Sequence, residues 1–382
     1  MSSERQRALH LLQRIERESL YASLVLANET GFVRTLVLGV LRWRSRLDFA
    51  IETLAQRALK KLDPQVIDVL RVGIYQLLYM DVAPYAAVSE TVDLAPKRAR
   101  GFVNAILRRT AEGKVSEPPD VATRTAHPQW LIDRWTKTFG AKRAAAIAEA
   151  NQQLSYPDVL SLRGETPPDS EPSQLVPDLW KLRGSSAELD RDKFYPMDEG
   201  SAVIASIARA CGDDVLDLAA APGGKTIYLM HRGASVVAND VSIARLRPLR
   251  SRNARLVVSD GRRPPFRDKF DVVLLDAPCS ATGTIRKNPE LKWRLRESDL
   301  AKFAKLQREL LASAMTLAKK YVVYSTCSLE GEENDEVVEG YERADVTTEH
   351  GTRNTARWIE NGVLRLTPES GADGFTAFVL RV

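Results

Sequence analysis

From about Cys211 onward the chain carries a series of short apolar runs: Val215–Leu218, Val236–Asn239, Leu256–Ser259, Val272–Leu275 and Tyr321–Tyr324. Helix-like stretches lie between several of them. Runs of this length alternating with helices predict a parallel sheet covered by helices on both faces. The end of the chain departs from this pattern. Val363–Leu366 and Phe375–Leu380 read as a closing pair of strands, with Gly371 and Gly374 between them. No internal repeat or low-complexity block appears.

The first third reads differently. Leu11, Leu12 and Ile15 recur at helical spacing, as do Phe32, Val33, Leu36, Val37, Val40 and Leu41, and then Val66, Ile67, Leu70, Ile74, Leu77 and Leu78. Asp63-Pro64 is an N-cap followed by proline at the first helical position. Pro84 breaks the chain before another helix, and Phe102, Val103, Ile106 and Leu107 pattern the last one. An all-helical bundle is predicted. Residues 113–120 (GKVSEPPD) form a polar linker, and residues 128–153 give one or two further helices. In 155–195, Pro167, Pro168, Pro172 and Pro177 exclude a helix, while Asp158–Leu162 is a candidate strand. A small β-containing module and an elaborated linker both fit. The expected domains are 1–115 (helical), 121–195 (a middle module or linker) and 196–382 (α/β).

Composition narrows the function classes. At 44% apolar and 27% charged residues, the chain is not wholly disordered, collagenous or a coiled-coil rod. No apolar run approaches the ~18 residues of a membrane span. The charged helical start is unlike a signal peptide, and three cysteines cannot build a disulfide framework. A cytoplasmic protein is expected, with no membrane partner. The net charge of +5 is uneven: residues 1–115 hold 18 Lys+Arg against 12 Asp+Glu. A basic first third beside a neutral remainder suggests a polyanionic partner, nucleic acid first.

The first β-run leads into Asp217-Leu-Ala-Ala-Ala-Pro-Gly-Gly-Lys-Thr226, a Gly-rich turn between strand and helix. Such a turn presents backbone N–H groups to a ligand. It is not a P-loop, because the required first glycine is Ala219, and the G-x-G-x-x-G fingerprint is absent. Asp240, Asp260 and Asp276 close the next three runs. A carboxylate at Asp240 suits ribose hydroxyls, and one at Asp260 an adenine edge. Ligands of open α/β sheets bind at the carboxyl ends of strands. A glycine turn followed by an acid at each of the next three strand ends describes an S-adenosylmethionine pocket.

Two cysteines sit at strand ends, Cys279 after the fourth run in Asp276-Ala-Pro-Cys279-Ser and Cys327 after the fifth in Ser325-Thr-Cys327-Ser. Cys211 reads as an inert core thiol. His10, His127, His231 and His350 are scattered and no C-x-x-C occurs, so no metal is expected. A thiol beside a methyl donor suits pyrimidine chemistry. A thiolate adding to carbon 6 makes carbon 5 able to attack a methyl sulfonium. Lys225 is a cationic neighbour for the thiolate, and Asp276 can hydrogen-bond the N3/N4 edge of cytosine. One cysteine would attack and the other assist release; the residues alone do not order the two.

The blocks VLDLAAAPGGKT (215–226), DAPCSATGTIRKNPELKW (276–293) and YSTCSLEGEENDEVV (324–338) closely resemble signature blocks of the Sun/Nop2 (NSUN) RNA 5-methylcytosine methyltransferases. FYPMDEGSAVIA (194–205) and DGFTAFVL (373–380) resemble further blocks of that family. PYAAVSETVDLA (84–95) and RARGFVNAILRR (98–109) resemble a NusB-like RNA-binding helical domain, and HPQWLIDRW (127–135) the segment after it.

The resemblance implies a NusB-like bundle, a small middle module and a class I (Rossmann-like) methyltransferase domain, in a monomer acting on small-subunit rRNA. It implies that Cys327 is the nucleophile and Cys279 assists release. DNA cytosine methyltransferases supply the rival assignment, with the P-C cysteine attacking. It places the cofactor S-adenosylmethionine on Ala219, Ala220, Ala221, Pro222, Gly223, Gly224 and Lys225, with Asp240 on the ribose, Asp260 near the adenine and Asp276 at the methyl-transfer centre. Alternatives are the same chemistry on tRNA, or a non-catalytic RNA-binding assembly factor.

The chain departs from the family in having Met197 where Gln commonly precedes the Asp. It also reads Leu162-Arg163-Gly164 where an Arg-x-Asn step is frequent. Arg286, Lys287, Lys292 and Trp293 are candidates to grip phosphates or stack a base. Glu332, Glu333 and Asn334 are expected to cap a helix after Cys327.

Overall fold

The computed structural model describes residues 3–346 and 354–382. His350 lies outside the described residues. The chain divides into two compact units, Met1–Gln153 with Ile285–Leu295, and Leu154–Thr284 with Arg296–Val382.

The first unit is all-helical. Its longer helices are α1 (Glu4–Glu18), α2 (Gly31–Ala55), α3 (Pro64–Tyr79), α4 (Pro84–Leu94), α5 (Arg100–Ala111), α6 (Gln129–Phe139) and α7 (Ala141–Ala150). The apolar stripes are the core: Leu11, Leu12, Ile15, Val33, Leu36, Val40, Val66, Leu70, Ile74, Val103 and Leu107 are buried in one cluster. Asp63 caps α3, its carboxylate accepting from the Gln65 N–H at 3.0 Å, with Pro64 at the first helical position. His127 is buried, its Nδ1 2.7 Å from the Thr125 carbonyl oxygen and its Nε2 3.3 Å from Asn151 Nδ2. Burial and the charge of Lys292 hold its pKa well below the usual imidazole value, so it is a neutral core residue.

The second unit contains two sheets. The smaller has the order β2 (Ser170–Pro172), β3 (Leu179–Leu182), β1 (Asp158–Ser161), β4 (Phe194–Pro196), all antiparallel. The middle module expected over 121–195 therefore divides. Its helices group with the first unit and its strands with the second. The Pro-rich stretch forms the β1–β3 connection and β2.

The larger sheet runs β11 (Ile359–Glu360), β12 (Val363–Leu366), β13 (Phe375–Arg381), β9 (Ala318–Thr326), β8 (Phe270–Asp276), β5 (Asp214–Asp217), β6 (Ser235–Asp240), β7 (Arg255–Val258), with β10 (Arg343–Ala344) pairing β13. Strands β5 to β9 pair in parallel, and β12 and β13 add antiparallel. The helices α8 (Glu199–Cys211), α9 (Gly224–His231), α10 (Ile243–Arg250) and α11 (Leu300–Leu317) accompany it. From β5 the strand order runs one way through β6 to β7 and the other way through β8 to β9. The rim beside that reversal is where α/β sheets bind ligands. No helix among the described residues is long and apolar enough to cross a membrane.

Candidate active site

Four carboxyl ends of the parallel strands build the rim. Strand β5 ends at Asp217, whose Oδ2 accepts from Thr226 Oγ1 at 2.7 Å. This ties the strand to the first turn of α9. Asp217 is buried, and Oδ1 has no hydrogen-bond partner among the described residues. Burial pushes its carboxyl up to about 7 against the opposing Thr226 bond and Lys225 charge. In the sequence Asp217 stands within the turn motif with no role of its own.

The turn from Ala219 to Lys225 connects β5 to α9. Gly223 has φ +112°, and a Cβ there would meet the Leu249 side chain at 2.5 Å, so both conformation and space call for glycine. At Gly224 a Cβ would come only within 4.0 Å of Met197 Cγ, leaving bare backbone at the helix start. Met197, the departure from the family pattern, is buried and packs beneath this turn. The first-turn N–H groups of α9 have no partners within the helix.

Asp240 closes β6. Its Oδ2 accepts from the Ala221 N–H at 3.2 Å and its Oδ1 from the Ser242 N–H at 2.9 Å. The carboxylate is thus held against the glycine turn. Asp260 behaves differently. Arg262 chelates it from Nε and Nη2, at 3.0 and 2.7 Å, and also bonds Glu309 at 3.1 Å. These hydrogen bonds hold the exposed Asp260 carboxyl down at about 2. The carboxylate expected near an adenine faces a guanidinium in this structure.

Asp276 closes β8 and lies at the centre. Lys225 Nζ donates to its Oδ2 at 2.6 Å, and Ser325 Oγ to its Oδ1 at 2.8 Å. Lys225 also reaches Ser201 Oγ on α8 at 3.2 Å and sits 5.2 Å over the Phe375 ring. Burial works to neutralise Lys225, but the Asp276 ion pair outweighs it and raises its pKa, so the ammonium persists. The small sheet sets the position of α8: Asp158 Oδ2 accepts from the Glu199 N–H at 3.2 Å. Ser201 and Ser325 were not singled out in the sequence. Ser325 adjoins the S-T-C block, which is the signal that points to it.

The two loop cysteines meet. Cys279 Sγ lies 3.3 Å from Cys327 Sγ, and both are half-buried. Cys279 is raised well above the usual thiol value by its hydrogen bond to Cys327, by burial, and by the charges of Cys327, Glu333 and Asp276. It therefore keeps its proton. Cys211 is apart from the site, on α8, with burial pushing it up to about 12, in keeping with an inert thiol.

Two sequence expectations are corrected. No α-helix follows Cys327 among the described residues. Gly331–Glu333 is one 3-10 turn, and its side chains staple loops. Asn334 Nδ2 donates to the Ser328 and Glu330 carbonyls at 3.0 and 2.9 Å, and its Oδ1 accepts from Thr326 Oγ1 at 2.7 Å. Glu333 is buried and bonds residues of both cysteine loops.

The second correction concerns the basic stretch after Cys279. Ile285–Leu295 belongs to the helical unit. Lys292 is buried, donating to the Arg42 and Ala126 carbonyls at 2.8 and 2.7 Å. Trp293 Nε1 donates to the Leu41 carbonyl at 2.6 Å, and the Arg286 carbonyl accepts from Arg42 Nη2 at 2.8 Å. Arg286 is also buried. Lys292 and Trp293 spend their donors on protein backbone, which removes Lys292 as a phosphate grip and Trp293 as a freely stacking ring.

Comparison with known proteins gives two family matches. The 16S rRNA methyltransferase RsmB/F family matches residues 205–381, and the NusB family residues 2–112. A relative from Citrobacter koseri, named ribosomal RNA small subunit methyltransferase B, is 33% identical, with 91% of this chain and 89% of the relative covered. The protein of that name from Escherichia coli O127:H6 is 34% identical over 80% of each chain. Among solved structures, that of PH0851 covers 100% of this chain and 99% of its own, with TM-score 0.74 at 23% identity. NSun6 from Pyrococcus horikoshii, solved with SFG, covers 67% of this chain and 98% of its own, with TM-score 0.57 at 20% identity. These two likenesses concern the fold. With a glycine turn, paired rim thiols and an N-terminal helical unit in one chain, and with these curated relatives matched over most of its length, the chain belongs to the RsmB/F family of 16S rRNA methyltransferases.

Proposed function

We propose that this chain methylates carbon 5 of a cytosine in small-subunit rRNA through a transient covalent bond between Cys327 and carbon 6. The observation that carries the reading is the pair of thiols 3.3 Å apart beside an Asp276 held by Lys225 and Ser325. Methyl transfer to an exocyclic nitrogen or a ribose hydroxyl needs no thiol. Carbon 5 does, because it is nucleophilic only after a nucleophile has added to carbon 6.

S-adenosylmethionine is the cofactor, and it supplies an electrophilic methyl group to the activated carbon 5. The residues that would hold it are Ala219–Lys225, by their backbone, and Asp240, by its carboxylate. The geometry of the turn supports this placement. The glycine turn exposes backbone next to a fixed carboxylate, as a nucleoside with a charged amino-acid tail requires.

Cys327 attacks carbon 6 while Cys279 retains its proton. Asp276, fixed by the Lys225 ammonium on one oxygen and Ser325 on the other, faces the N3/N4 edge of the base and stabilises the adduct. In the second half of the reaction a water molecule at the rim takes the carbon 5 proton, the electrons of that C–H bond re-form the 5,6 double bond, and Cys327 leaves as the thiolate, with the adjacent Cys279 thiol placed to donate a hydrogen bond to it. A cytosine stacked in a helix cannot reach this rim, so the substrate is single-stranded or flipped out.

Labelled S-adenosylmethionine incubated with unmodified small-subunit rRNA, followed by nucleoside mass spectrometry, tests the reading; labelled 5-methylcytosine is expected. Label in tRNA alone would overturn the substrate. Cys327→Ala should abolish methylation, and Cys279→Ala should leave a covalent protein–RNA adduct on denaturing gels. An adduct with Cys327→Ala instead would reverse the two roles.

A further inference from the structure

Glu333 makes a set of contacts that no local role requires. Its Oε1 accepts from the Ser280 N–H at 2.8 Å and from Gln307 Nε2 at 3.1 Å. Its Oε2 accepts from Ser328 Oγ at 2.5 Å and from Ser280 Oγ. Ser280 directly follows Cys279, and Ser328 directly follows Cys327. Gln307, on α11, also donates to the Pro278 carbonyl at 2.8 Å, just before Cys279. The Glu333 carbonyl accepts from Tyr324 Oη on β9 at 2.6 Å, which fixes the backbone that carries the carboxylate. One fully buried carboxylate therefore grips the chain beside each thiol.

We propose that Glu333 is the positioning residue that sets the separation of Cys279 and Cys327. The carboxylate acts as a common acceptor between two loops that have no covalent link near the site. Neutral donors surround it, so its hold comes from hydrogen-bond geometry. Ser280 Oγ and Ser328 Oγ, 3.1 Å apart, lie beside the thiol pair and share this one acceptor. Losing it leaves buried donors unmatched on both loops, and the loops relax apart to find other partners.

The two half-reactions must pass between the same two sulfurs, so this spacing governs turnover. That kinetic consequence rests on the proposed cytosine chemistry; the spacing itself does not. Glu333→Gln keeps the frame. Its carbonyl can accept from Ser280 N–H and Gln307, and its amide can donate to the two serine hydroxyls. Glu333→Ala removes the frame.

The experiment is a chemical ruler. Diamide takes one hydrogen from each of two neighbouring thiols, becomes the hydrazine and leaves a disulfide. Its rate of forming the Cys279–Cys327 bond is read by peptide mass spectrometry on the full chain, without RNA. Relative to wild type, Glu333→Ala should slow the cross-link about tenfold, because disulfide geometry is narrow. Glu333→Gln should restore most of the rate. In methylation assays Glu333→Ala should lower kcat about 100-fold, the scale of an ångström of misplacement, with KM for S-adenosylmethionine unchanged.

A folded Glu333→Ala protein that cross-links at the wild-type rate would overturn the proposal, as would Glu333→Gln failing to restore the rate. Should Glu333→Ala not fold, Ser328→Ala removes one of the carboxylate's four donors, together with the acceptor of the Glu330 N–H. A several-fold slower cross-link is then expected, and an unchanged rate overturns the proposal. Slow cross-linking in a protein that methylates no cytosine would support the spacing role while refuting the proposed reaction.

Discussion

Replacing Asp217 by asparagine tests whether this buried carboxyl titrates near neutrality. Asp217 is 1% exposed, and burial lifts its folded-state value from 3.8 to about 7. Between those values the folded protein holds a proton that the unfolded chain has released. The group's contribution to stability is therefore fully present below the unfolded value and is lost as pH rises through about 7. A rise from 3.8 to about 7 is worth about 4 kcal/mol at about 1.4 kcal/mol per pH unit. Between about pH 5 and about pH 8, roughly 2–3 kcal/mol of this is lost, because the unfolded carboxyl is already mostly ionised at the lower end. In Asp217→Asn the new side chain would accept the Thr226 hydroxyl through its carbonyl but cannot ionise. The amide nitrogen it places where Oδ1 lacks a partner imposes a cost that does not vary with pH. Urea unfolding of wild type and variant, in pairs across this range, isolates Asp217, since the titrations they share cancel in the difference. Wild type minus variant should fall by about 2–3 kcal/mol from about pH 5 to about pH 8. A difference that is flat with pH would refute the reasoning.

Further outcomes follow from other contacts. Asp240→Ala should raise KM for S-adenosylmethionine about 10- to 100-fold, the value of charge-assisted hydrogen bonds to ribose hydroxyls, with kcat little changed. A kcat loss at constant KM would place Asp240 elsewhere in the cycle. Lys292→Ala should destabilise the helical unit by about 2–4 kcal/mol, through lost packing and two unmatched carbonyls, as measured by hydrogen exchange. Weaker RNA binding with unchanged protection would instead mark Lys292 as a phosphate contact.

What the sequence revealed and what it hid differ in range. Helix stripes, the Asp63-Pro64 cap and the apolar runs depend on residues a few positions apart, and each appears where expected. The rim acids and the two cysteines were legible because parallel strands deliver their ends to one edge. Glu333 was read as a cap because capping is a local signal, whereas its partners at Ser280 and Gln307 are 53 and 26 residues away. Lys292 and Trp293 looked like an exposed basic loop because nothing nearby in sequence announces carbonyl partners about 250 residues earlier. The Asp260–Arg262 pair is a local signal, an acid two residues before an arginine, and it competes with a ligand role for the same carboxylate.

The excursion of Ile285–Leu295 into the helical unit has a consequence for biosynthesis. A chain emerging from the ribosome displays Met1–Gln153 early, but the segment that supplies Lys292 and Trp293 to that unit follows only after β8 has been made. The second unit is also unfinished then, since β9 and β13 are still to come. The first unit thus waits for a piece of sequence that interrupts the second, and maturation of the two is interleaved in time. A nascent chain stalled anywhere between Gln153 and Ile285 exposes a helical unit still missing its last segment, a window in which protection by chaperones has the most to offer.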